Sequence, residues 1–130
     1  MYRAITRQIQ VTASPRYVAE RSDPAQDRHF WTYTIAVENQ GTETVQLIAR
    51  AWHITDGLGR VEEVHGQGVV GEQPVLPPGT RFEYTSGVPL TTATGIMRGQ
   101  YVMRTAAGEK FMVEIPAFSL DSPDMPRTLN

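Results

Sequence analysis

Gly66, Gly68 and Gly71 set a G-x-G-x-x-G string into the middle of the chain, the pattern of a loop whose backbone N–H groups can hold a phosphate. In a dinucleotide fold such a string follows a strand and opens a helix, because the helix N-terminus supplies the positive end of the cradle. Here Glu72, Gln73 and Pro74 follow, with Pro77, Pro78 and Gly79 soon after, so no helix can start. The spacing leaves open a helix-free nest, with Gly66, Gly68 and Gly71 as the anion-binding loop. The structural alternative is a loop whose glycines answer to positive φ or a close strand approach. Glu62, Glu63 and Glu72 would repel a polyphosphate unless a divalent cation bridged them, so the phosphate or nucleotide reading takes metal first and anion second.

A metal would have to use His, Asp and Glu, since the chain has no Cys. The densest supply is His53, Asp56, Glu62, Glu63 and His65. Asp56-Gly57-Leu58-Gly59 reads as a hairpin turn that sets Thr55 opposite Arg60, so that His53 faces Glu62 and Arg50 faces His65. In that register His53 and Glu62 are the candidate ligands, while the two histidines leave opposite sides of the hairpin and cannot share an ion. Ser86, in Tyr84-Thr85-Ser86-Gly87, lacks the G-x-S-x-G elbow of a nucleophile. No acid, base and nucleophile converge by motif, and the chain is read as non-enzymatic and without a cofactor.

The elements that must position these residues are strands. Apolar residues alternate at period two between clusters of Gly, Pro, Asn and Asp, the pattern of an antiparallel sandwich or barrel. The first strand is expected over Ala4–Val11, closed by Ser14-Pro15, and the second carries Trp31, Tyr33, Ile35 and Val37 on one core face. The third, near Thr44–Thr55, changes parity between Leu47 and Ile48, which predicts a bulge around Leu47–Ala49. Strands near Arg60–His65, Arg81–Ser86, Ile96–Arg104 and Glu109–Ile115 bring the total to seven or eight. Residues 1–120 read as one domain, and the polar, Pro-containing stretch 121–130 as a frayed tail.

Twelve basic and fourteen acidic side chains are scattered without a run of one sign, so duplex nucleic acid, which wants a concentrated basic surface, is not expected as a primary partner, and a local basic patch stays open. No stretch reaches membrane-spanning length, so no membrane insertion is expected. With no apolar segment near Met1 and no Cys, a cytoplasmic location follows as the expectation.

The string from Arg50 to Met103 resembles the signature of the bacterial ApaG family. The resemblance rests on the hairpin approach from Trp52 to Asp56, Gly66-x-Gly68-Val69-Val70-Gly71 with Gln73-Pro74, Pro78-Gly79, Tyr84-x-Ser86-Gly87, and Gly95-x-Met97-x-Gly99-x-Tyr101-x-Met103. It implies an immunoglobulin/fibronectin-III-like β-sandwich, in agreement with the strand count. It also implies an interaction module, of the kind found in F-box and polymerase-delta-interacting proteins, and a link to cobalt and magnesium tolerance. No settled reaction comes with it. The expected partner is therefore a protein, met by the Gly66–Gly79 and Gly87–Thr94 loops, with Val69, Val70, Gln73, Leu76 and Leu90 as contact candidates. Self-association through the same apolar residues stays open.

Overall fold

The computed structural model describes residues 1–123. Nine strands occur among them: β1 (Tyr2–Thr6), β2 (Ile9–Tyr17), β3 (His29–Asn39), β4 (Val45–Asp56), β5 (Val61–Gln67), β6 (Val75–Leu76), β7 (Arg81–Leu90), β8 (Thr94–Thr105) and β9 (Lys110–Asp121). They form two antiparallel sheets, one in the order β1-β2-β3-β7 and one in the order β5-β4-β8-β9, with β6 beside β4. This is the expected immunoglobulin/fibronectin-III-like sandwich. No helix among the described residues is long and apolar enough to cross a membrane.

The strand count rises above the expectation for two reasons. The first expected strand is a hairpin, because Arg7 and Gln8 both take positive φ (47° and 67°), the geometry of a two-residue I′ turn. Neither residue type advertises that turn. The second addition is the two-residue β6, pinned when Asn39 Nδ2 donates to the Leu76 carbonyl at 2.9 Å. Ser14-Pro15 does not close a strand: β1 covers β2 only as far as Ala13, so Pro15 lies where β2 has one neighbour. The bulge between Leu47 and Ala49 is present, and a second, unforeseen one lies between Met97 and Gly99. The first two residues of the expected tail are ordered into the fold, since Asp121 closes β9 and the buried Ser122 donates its N–H to the Ala93 carbonyl. The rest of that expectation, 124–130, lies outside the described residues.

The alternating residues of β3 meet those of β4, β8 and β9 between the sheets. Tyr33, Trp52 and Phe118 form an aromatic triangle with centroids 5.3 to 6.0 Å apart, among Ile35, Val37, Leu47 and Met103. One side of the sandwich is sealed. There β1 packs on β9, the Glu114 N–H reaches Thr6 Oγ1 at 3.2 Å, and Tyr2 stacks near Phe118 at 6.1 Å. Aligned packing sets β5 and β7 on the opposite side, where a hollow of about 240 Å³ separates Val61 and Glu62 from Pro89 and Leu90.

Candidate functional site

The glycine loop is a second small hairpin, built from its own backbone. Val69 and Glu72 exchange both N–H···O=C bonds, at 2.8 and 2.9 Å, across Val70 (φ 42°) and Gly71 (φ 81°). Gly68 holds φ 64°, and a Cβ there would lie 2.2 Å from the Glu72 carbonyl oxygen, so only glycine fits. Its N–H donates to the Ile48 carbonyl at 2.8 Å, the point where β4 bulges. The N–H groups of Gly68, Val69 and Glu72 are thus used inside the protein. Gly66, the first of the predicted trio, is a residue of β5 paired with Arg50. The three glycines do not converge on a nest.

The contact candidates divide in the same way. Val69 and Leu76 are buried core residues, not partner-contact residues, because the small hairpin and β6 fold their side chains beneath the loop. Leu90 packs half-buried against the core, and Gln73 Nε2 donates to the Ile48 carbonyl at 2.9 Å. Val70 stays outside, 55% exposed, and neighbouring Val75 is 56% exposed.

The hairpin between β4 and β5 has a register one residue away from the expected one. Asp56, not Thr55, lies opposite Arg60, since the Asp56 N–H donates to the Arg60 carbonyl at 2.9 Å. The Asp56 carboxylate sets this turn: it accepts from the Leu58 N–H (2.9 Å), the Arg60 N–H (3.0 Å) and Arg60 Nε (2.6 Å). Partial burial opposes its ionisation, yet the bonds from Arg60 and Leu58 prevail and hold its pKa below the ordinary value. With Thr55 opposite Val61, His53 pairs with Glu63 and Ala51 with His65, so both histidines share the outer face. Glu62 pairs with the buried Ile54 and leaves the other face, which separates it from His53.

On the outer face His53 Nε2 is 2.7 Å and His65 Nε2 is 3.8 Å from the Glu63 carboxylate. Arg98 approaches His53 Nδ1 at 3.5 Å, and an arginine can only donate, so Nδ1 accepts and Nε2–H points to Glu63. These groups rim a shallow hollow of about 280 Å³ over Ala51, with Gln100 bonded to Glu114 at 2.5 Å. No group of three or more His, Asp or Glu able to hold a metal ion occurs among the described residues.

A third constellation went unnoticed in the sequence. Arg50 follows the inward parity of Trp52 and Ile54, and its guanidinium lies over Gly66, where any Cβ would approach it to 2.8 Å. Its Nη1 donates to the carbonyls of Gln67 and Gly68, at 3.1 and 2.9 Å. The buried Tyr84 and Tyr101 hydroxyls bond to each other nearby. Burial raises the pKa of both, and that of Tyr33, while the Arg50 charge draws all three down and the Ser86 hydroxyl bonds Tyr33. The readable signal was a charged residue in a core parity opposite a glycine.

The sequence pattern of the ApaG domain matches residues 19–105. The chain belongs to the ApaG domain family. Protein ApaG of Xanthobacter autotrophicus is 70% identical over 130 residues, the whole of both chains. Protein ApaG of Azorhizobium caulinodans matches with the same identity and coverage. The crystal structure of the putative ApaA protein from Bordetella pertussis is 49% identical, covers 90% of this chain and 95% of that one, and superposes with a TM-score of 0.87. The ApaG span holds β3 to β8, and with them Arg50, the glycine loop and Ser86, whereas β1 and β9 of the sealed side lie outside it.

Proposed function

We propose that this ApaG-family chain is a non-enzymatic protein-binding module that meets its partner at the tip of the Gly66–Gly79 loop. The observation that carries the reading is Val70. A β-branched residue pays an unfavourable backbone energy on the order of 1–3 kcal/mol in the left-handed region, where glycine or asparagine is the ordinary choice. At Val70 that cost holds an apolar side chain in water, on a hairpin fixed from both sides by Gly68, Gln73 and the β4 bulge. Strain of this kind persists where the side chain has a use. The link to cobalt and magnesium tolerance would then run through the partner.

The test replaces Val70 with glycine and, separately, with a photo-crosslinking amino acid. Val70→Gly should stabilise the fold by about 0.5–1 kcal/mol in urea melts and weaken partner capture. Crosslinks at position 70, absent when the same group stands at exposed Leu58, support the reading. Equal labelling at the two positions removes it.

A further inference from the structure

Among the described residues, the open side of the sandwich combines a strand edge without a neighbour and a cation without a carboxylate partner. We propose that it docks an extended, acid-bearing segment of a partner protein, which adds as a strand beside β7 and places a carboxylate on Arg50. This rests on the protein-binding reading and gives it a second location and a chemistry.

The edge follows from the register. The Asn39 N–H donates to the Thr80 carbonyl, and Glu38 stands opposite Arg81. Antiparallel bonding alternates, so Phe82, Tyr84, Ser86 and Val88 turn their backbone groups to β3, while Arg81, Glu83, Thr85 and Gly87 turn theirs outward. Pro89 has the outward parity, so its missing N–H costs the ladder nothing and ends the usable edge. Among the described residues no neighbour other than β3 pairs with β7.

Strand addition gives affinity through main-chain bonds and specificity through alternate side chains. Alternate side chains of an added strand would enter the gap between β7 and β5, against half-buried Val64 and Leu90. Farther along β5 the Arg50 guanidinium lies over Gly66, held by two carbonyls and without a carboxylate partner among the described residues. An aspartate or glutamate accepting a charge-assisted bond from Arg50 would supply it. On the outer face Arg81 and Glu83 already pair at 2.5 Å, so no charge is called for there. A second copy offering its own β7 fits less well: its inward residues are Phe82, Tyr84, Ser86 and Val88, none of them acidic.

The experiment pans a phage-displayed library of random peptides on the full chain and measures recovered peptides by fluorescence polarisation. Peptides with an Asp or Glu between alternating apolar residues are expected. Replacing that acid by its amide should weaken binding about tenfold or more, the scale of one charge-assisted bond, and Arg50→Gln should do the same. Thr85→Pro and Glu83→Pro each remove an outward N–H together with a different exposed side-chain contact, the Thr34 hydroxyl bond in one and the Arg81 ion pair in the other; both should abolish binding, with melting curves confirming the fold. No enrichment, or affinity indifferent to the acid or to both proline variants, would overturn the proposal. So would a dimer of the chain alone that Thr85→Pro dissolves. If position 70 still captures a partner when panning fails, the edge alone is wrong; if both fail, the protein-binding reading goes too.

Discussion

On one side of the sandwich β1 lies across β9, and the groups that meet are Tyr2 with Phe118 and Arg7 over Phe111 at 4.2 Å. On the other, β5 and β7 flank a hollow, and farther along the inner faces of β4 and β7 stand Arg50, Ser86 and the bonded tyrosine hydroxyls. The sealed side closes with aromatic contact, the Arg7–Glu109 ion pair and hydrogen bonds that cross from β9 to β1. The open side keeps its polarity inside, bonded, and exposes backbone donors along β7. A fold that needed only stability would have no use for that asymmetry, because a half-buried guanidinium held by carbonyls contributes less than an apolar side chain of its size.

The largest test of this contrast truncates one residue from each side. Phe118→Ala, in the aromatic triangle beside β1, should cost about 3–5 kcal/mol in urea-melt free energy. Val64→Ala, half-buried at the gap, should cost about 1 kcal/mol or less. Comparable losses would mean that the gap closes in solution.

Much of the fold was legible because β3 and β4 announce themselves. Trp31, Tyr33, Ile35 and Val37 all lie in the core, and the parity change at Leu47 marks a real bulge. The site was less legible. A single residue of register at Asp56 decides whether His53 faces Glu62 or Glu63, and three backbone and side-chain bonds to one carboxylate made that choice. The hairpin at Arg7-Gln8 left no trace because neither residue is a habitual turn former. The burial of Val69 and Leu76 depends on how a loop folds back, which periodicity does not encode.

A sharper probe lies in the tyrosine pair. Tyr101→Phe leaves the buried Tyr84 hydroxyl without its partner and should cost about 1–3 kcal/mol. Burial raises both phenol pKa values in the folded state, so their contribution is fully present below the unfolded value of about 10 and is lost as pH rises through the folded one. Phenolate absorbance should show Tyr84 and Tyr101 ionising with alkaline unfolding, above the ordinary tyrosine value of about 10. Ionisation of Tyr84 and Tyr101 before unfolding would show that water already reaches the pair in the folded state.

The smallest expected effect separates the two sides by pH. Asp56 fixes the β4–β5 turn, and Arg60, bonded to it, also donates from Nη2 to Thr91 Oγ1 at 2.9 Å just beyond β7. One carboxylate thereby ties both lips of the gap. Its folded pKa is depressed, so the stabilisation is present above the unfolded value of about 3.9 and disappears as pH falls through the lower folded one. Asp56→Asn should lower stability slightly at neutral pH and converge with the parent chain in acid. Hydrogen-exchange protection should fall first at Val61–Glu63 and later, if at all, along β1 and β9. Simultaneous loss on both sides would show that the lips are not a separate cooperative unit, and that the gap is held by the core beneath it.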